Sequence, residues 1–186
     1  MKVIIIEGPD NCGKDTLIGK ILEQFPTITM IHCSKPFSKK HSSKEQDLLF
    51  NSYVDEIVNK RYNTHILLFN RGFHGEYVYG TIYRKRNLIE VENMIHNCEE
   101  KLNNSDYDIY YIQLLNESIE TLSKNEDGLS LSSGNIDLIK KESELFKEIF
   151  DKSILNKKLI YVNNQEKTGF RSKESIFNDV MKFINS

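Results

Sequence analysis

Residues 3–6, Val3, Ile4, Ile5 and Ile6, form an apolar run without a polar interruption. Such a run belongs to a strand buried on both faces. Runs at 66–69, 109–115 and 159–162 predict further strands, and the β-branched stretch 27–33 predicts another. Between them, apolar residues recur at helical spacing. The predicted helices cover 16–24, 45–60, 73–85, 88–102, 136–150 and 172–184. In 45–60 the expected buried stripe is Leu48, Leu49, Val54, Ile57 and Val58. This alternation predicts an α/β fold, a five-stranded parallel sheet with helices on both faces. No repeat or Gly/Pro/Ser linker divides the chain, so a single domain over 1–186 is expected. The polar segment 124–135 carries Gly128 and Gly134 and reads as a lid with two candidate hinges. Ligands of such sheets bind beyond the carboxyl ends of the strands, so functional residues are sought there.

Composition narrows the class. The 186 residues suit one domain. Ile, Leu, Val and Phe supply 56 of them, well above the ~20% below which disorder is expected. A net charge of −2 gives no reason to expect a nucleic-acid partner. Cys12, Cys33 and Cys98 form no CxxC pair, so neither a zinc knot nor a disulfide scaffold is indicated. A reduced, cytoplasmic setting is the expectation. The opening MKVIIIEG is too short an apolar run for a signal peptide, and no later run approaches the ~20 residues of a membrane span. The five histidines show no metal-ligand spacing. The chain has no alanine and only five arginines beside 20 lysines, a bias expected of an AT-rich, viral genome.

The strongest chemical signal follows the first strand. Gly8, Gly13 and Lys14 form a GxxxxGK motif between a buried strand and a helix, the context that gives a P-loop its meaning. Its amides, the helix N-terminus and the Lys14 ammonium converge on an anion. Asn11, Cys12, Gly13, Lys14, Asp15 and Thr16 are thus the candidate ATP-binding residues, and the fold class sharpens to a three-layer P-loop NTPase. The residue after the lysine is usually Ser or Thr, whose hydroxyl meets Mg²⁺. Here it is Asp15, either a helix-start residue favoured by the dipole or a direct metal ligand.

Three segments resemble the thymidylate kinases, most of all their divergent phage-type members. Glu7-Gly8-Pro9-Asp10-Asn11-Cys12-Gly13-Lys14 is similar to their EGxDxxGK loop. Residues 47–54, DLLFNSYV, resemble their LLFxAxR helix, and 70–80, NRGFHGEYVYG, their DRYxxSxxAY segment. The late helix from Glu142 to Phe150 fits as well. The resemblance implies ATP as phosphate donor, Mg²⁺, a deoxynucleoside monophosphate acceptor with dTMP first, and a homodimer. It implies that Asp10 holds the sugar hydroxyl, Phe50 stacks on the base, Arg71 grips the acceptor phosphate and Tyr79 packs beside the sugar. Each has a plainer reading: an Asx turn for Asp10, core aromatics for Phe50 and Tyr79, a surface arginine for Arg71. The base-reading arginine of the LLFxAxR helix is Val54 here, which donates nothing.

Asn70 stands where the family has a metal-holding aspartate. The acid missing there is present at Asp15, which suggests a transposed carboxylate, with Asp15 and Asn70 as the candidate metal residues. Kinases that phosphorylate a nucleoside use a Glu-Pro glutamate after the second strand as general base, but this chain has Lys35-Pro36. Lys35 is therefore a candidate partner of an acceptor phosphate. The family's catalytic lid or loop arginine is absent, leaving Lys124, Arg84 and Arg86 as candidate cations. His74 is a candidate for the acceptor cleft or a structural histidine, and Lys167 and Arg171 for the adenine side. The alternatives are a kinase acting on a nucleoside or modified pyrimidine, and a nucleotide-binding module without catalysis.

Overall fold

The computed structural model describes residues 1–33, 43–124 and 130–186. Five parallel strands, β1 (Lys2–Glu7), β2 (Thr29–His32), β3 (Ile66–Asn70), β4 (Asp108–Leu115) and β5 (Lys157–Tyr161), form one sheet in the order β2-β3-β1-β4-β5. β1 lies at its centre. Side chains alternate across a strand, so Val3 and Ile5 enter one core while Ile4 and Ile6 enter the other. This double burial is what the unbroken apolar run encodes.

Helices cover both faces, as expected. On the first lie α2 (Ser43–Val58), α3 (Gly75–Tyr83) and α4 (Leu88–Asn103), with Ile149 and Phe150 of α6 (Ile136–Lys152). On the second lie α1 (Lys14–Gln24) and α7 (Lys173–Ile184), with Leu122 of the short α5 (Ile119–Lys124) and Ile139 of α6. Asn87, Asn135 and Ser172 cap α4, α6 and α7, each accepting from amides of the first turn.

Two expectations are corrected. The buried row of α2 is Phe50, Val54 and Ile57, spaced i, i+4, i+7, which packs toward α4. Leu48 is 70% exposed, and Leu49 and Val58 also face solvent. The short helix α5 has no counterpart among the predicted elements. Register places Ile6 beside Asn70 and Glu7 beside Gln113, so the carboxyl ends of β1, β3 and β4 open at one edge. Among the described residues, no helix is long and apolar enough to cross a membrane.

Candidate functional site

The chain leaves β1 and turns at Gly8, whose φ is +152°. A Cβ there would stand 2.4 Å from the Leu114 carbonyl oxygen, so only glycine lets the loop lie this close to β4. Asn11 takes left-handed backbone (φ +63°), which its short amide side chain tolerates, and Gly13 caps α1. Lys14 is buried and its Nζ donates to the carbonyls of Gly8 (2.8 Å) and Pro9 (2.5 Å). Burial, helped by the Arg71 charge, lowers the Lys14 pKa to about 8. The Cys12 thiol is buried in the second core and pushed up to about 12, so Cys12 offers the site its main chain, not a nucleophile. The loop lines a cleft of about 1040 Å³, together with Asn70, Arg71, Phe170 and Arg171.

Asp15 and Asn70 meet at the base of this cleft, where Asn70 Nδ2 donates to Asp15 Oδ1 at 2.9 Å. The second carboxylate oxygen of Asp15 and the amide oxygen of Asn70 are hard donors beside the phosphate loop. Mg²⁺ in nucleotide sites takes one or two carboxylates and completes its shell with phosphates and water, so this pair fits it. Among the described residues, no group of three or more His, Cys, Asp or Glu side chains is arranged to hold a metal.

Arg71 follows β3 in left-handed backbone (φ +67°), a conformation that costs a non-glycine residue about 1 kcal/mol or more. Its amide donates to the Ile6 carbonyl at 3.0 Å. Its guanidinium forms an ion pair with Asp10, donates to Tyr79 Oη at 3.2 Å and lies 5.4 Å from the Tyr79 ring centre. These three residues border a smaller hollow together with Gln46, Phe50, Glu76 and Arg84. Phe50 is 4% exposed and meets Phe73 edge-on, so it belongs to the core and to the wall of the hollow at once.

One residue was missed by sequence reasoning. Glu7, fully buried at the end of β1, accepts from the amides of Gly72 (2.6 Å) and Gly75 (3.0 Å). It clamps the turn that carries Arg71. Burial raises its pKa despite the nearby His74 and Arg71. The available signal was an acid closing a wholly apolar strand at the functional edge. Glu142 of α6 is likewise buried and accepts from Tyr83 Oη. Burial, with the Asp10 charge added, raises its pKa to about 7.

Other candidates fall outside the cleft. His74 is corrected: it is fully buried, sits 2.7 Å from Glu99 Oε1 and stacks on Tyr111 at 4.0 Å, on the core side of its turn. Burial would raise the Glu99 pKa, but His74, the Ser153 hydroxyl and the Ile154 amide hold it below its ordinary value. Lys124 ends α5 exposed and does not line the cleft described here. Lys35 and Gly128 lie outside the described residues. Of the lid segment, Ser130 borders the larger cleft and Leu131 the hollow. Arg86 is buried between Glu76 and Asp47. Arg171 is held by the Tyr161 carbonyl, Ser175 and Asp179, and Lys167 by Glu117. The arrangement has the chemistry to bind one phosphate group at Lys14, a second anion at Arg71, and a hard cation at Asp15 and Asn70.

No model of a protein family matches the chain, and no curated protein matches it in sequence. Solved structures share its fold. The YorR protein of Bacillus subtilis, solved in complex with phosphorylated GDP, is 19% identical with a TM-score of 0.68 over 98% of this chain and 95% of its own. Thymidylate kinase from Candida albicans is 15% identical with a TM-score of 0.62, over 98% and 90%. Deoxyadenosine kinase from M. mycoides, solved with the products dCMP and dCDP, is 13% identical with a TM-score of 0.58, over 100% and 99%. At these identities the likeness establishes the fold alone, the five-stranded parallel sheet with helices on both faces that the sequence predicts.

Proposed function

We propose that the protein transfers the γ-phosphate of ATP to a deoxynucleoside monophosphate, with dTMP the first candidate, giving the diphosphate and ADP. The observation that carries this reading is one cleft lined by both a P-loop lysine and an arginine, Arg71, 8 residues before a buried tyrosine that it touches. Two cationic anion sites suit two phosphorylated substrates facing each other.

Lys14 and the loop amides hold the donor phosphates, exchanging the Gly8 and Pro9 carbonyls for phosphate oxygens. Asp15 and Asn70 would hold Mg²⁺, which when bound would supply positive charge to offset that on the transferring group. Arg71 binds the acceptor phosphate through its planar fork, and Lys35 is proposed to assist. Asp10, Phe50 and Tyr79 take the sugar and base. A monophosphate oxygen is already ionised, so positioning and charge neutralisation suffice. Attack by a nucleoside hydroxyl needs a carboxylate free to take a proton. Asp10 is paired with Arg71, and Glu76 with Arg84 and Arg86, which supports the nucleotide as acceptor.

A coupled assay with ATP, Mg²⁺ and a panel of nucleosides and monophosphates tests the reading. ADP release with dTMP and not thymidine is the expected result. Release with thymidine alone would make the protein a nucleoside kinase, and tight ATP binding without turnover would make it a binding module. The homodimer is part of the proposal and is checked by solution mass, expected at twice the 21.7 kDa chain.

A further inference from the structure

The hollow beside Arg71 is bordered by an ion cluster built on the end of α3. Val54, the position where a base-reading arginine is expected, is 2% exposed and packed in the first core. It cannot read a base. Among the described residues, the hydrogen-bonding side chains that border the hollow beyond Asp10, Arg71 and Tyr79 are Gln46, Glu76 and Arg84.

Arg84 is aimed by its neighbours. Helix α3 ends with the Arg84 amide donating to the Gly80 carbonyl at 3.2 Å. Lys85 then turns through left-handed backbone (φ +54°), and the Arg86 amide returns to the same carbonyl at 3.0 Å. This reversal brings both arginines back over Glu76, which is 3% exposed. Glu76 Oε2 accepts from Arg84, and Oε1 accepts from Arg86 Nη1 at 3.0 Å. Arg86 Nη2 in turn meets both oxygens of Asp47, at 2.8 and 2.9 Å, tying the cluster to α2. Gly80 makes room for this: a Cβ there would lie 2.8 Å from Glu76 Oε1 and 3.1 Å from Arg86 Cδ. The outer member, Arg84, keeps 28% of its side chain exposed, whereas the Arg86 side chain is buried.

We propose that Arg84 is the specificity-determining residue of the acceptor site and reads the carbonyl at the 4-position of a pyrimidine or the 6-position of a purine; this rests on the nucleotide-acceptor reading above. Arginine offers donors only. Thymine and uracil present a carbonyl at the 4-position, and guanine presents O6 beside N7, whereas adenine and cytosine present an amino group at those positions. Glu76 has both oxygens engaged by arginines, so it is poorly placed to accept from that amino group. The site therefore takes bases with oxygen at that position (thymine, uracil, guanine; oxo bases) and disfavours those with an amino group there (cytosine, adenine; amino bases). Gln46, whose amide both donates and accepts, completes the edge without reversing the preference.

The test is calorimetric binding and ATP-dependent turnover of dTMP, dUMP, dGMP, dAMP and dCMP by the wild-type chain, Arg84→Gln and Arg84→Lys. Oxo-base monophosphates are expected to bind the wild type at least about tenfold more tightly than amino-base ones. Arg84→Gln should remove most of that difference, Arg84→Lys should keep part of it, and the ATP KM should stay within about twofold. Wild-type preference for dAMP or dCMP, or an equal loss on all five acceptors in Arg84→Gln, overturns the inference. Selective binding that depends on Arg84 but gives no turnover would uphold the inference and overturn phosphoryl transfer. Absence of binding by all five would overturn both.

Discussion

Lys14 bonds two carbonyls of its own loop, Gly8 and Pro9, and burial holds its pKa near 8. Its proton is therefore lost as pH rises through about 8 in the free protein. A bound polyphosphate favours the ammonium, so ATP binding should take up a proton between about pH 8 and 10. Calorimetry of ATP binding in buffers of different ionisation enthalpy checks this. Affinity should fall as pH rises through that window, while no proton uptake there would leave Lys14 fully charged in the free loop. Asp15 and Asn70 make a second residue-scale claim, that one carboxylate has moved from strand end to loop. Asp15→Ser should lower Mg²⁺-dependent kcat by roughly 10²-fold or more and raise the Mg²⁺ concentration needed for half-maximal rate. Wild-type turnover by that variant would reduce Asp15 to a helix-start residue. Chelation of Mg²⁺ should abolish turnover without lowering ATP-free stability.

At the scale of elements, the turn after β3 is a strained segment held by its neighbours. Glu7 accepts from Gly72 and Gly75, so it fixes Arg71 without lining the cleft. Glu7→Leu should lower acceptor kcat/KM at least about tenfold with the ATP KM unchanged, and Glu7→Gln, which keeps an acceptor, should restore most of it. Equal effects on both substrates would reduce Glu7 to a purely structural residue. Glu142 supplies a stability prediction. Its pKa rises from an ordinary 4.5 to about 7, so the folded protein holds that proton more tightly than the unfolded chain. The stabilisation is complete below about pH 4.5 and is lost as pH rises through about 7. Glu142→Gln, which stays neutral, should raise stability at pH 8 by about 1–3 kcal/mol and flatten the melting temperature between pH 5 and 8. Elements also divide what the sequence made legible. β1, β3 and β4 were readable because burial on both faces leaves apolar runs. The face of α2 was not, because Leu48 and Leu49 are apolar yet exposed, and only tertiary packing against α4 selects the Phe50, Val54, Ile57 row. α5 has six residues, too few for a helical period to show.

For the molecule as a whole, the order β2-β3-β1-β4-β5 gathers residues far apart in sequence at one sheet edge. Glu7, Asp10, Lys14 and Asp15 arrive from β1, Asn70 and Arg71 from β3, and Phe170 and Arg171 from the loop after β5. The P-loop half of this site was legible because its residues are contiguous. The pairings Arg71–Asp10 and Arg84–Glu76 were not, since each is a contact that sequence spacing leaves open among several partners; Asp15 and Asn70 were coupled in sequence as metal residues, but not as directly hydrogen-bonded neighbours. The separation of His74 from the cleft was hidden for the same reason: only the packing of Glu99 and Tyr111 decides on which side of the turn it lies. The central claim is phosphoryl transfer between two nucleotides across this edge. Incubation with ATP labelled at the γ-phosphate, Mg²⁺ and deoxynucleoside monophosphates tests it most directly. The expected result is label in the β-position of a deoxynucleoside diphosphate, dTDP first, with Arg71→Gln reducing the yield roughly 10²-fold. Label found only in inorganic phosphate, or remaining in ATP with every monophosphate offered, would contradict it.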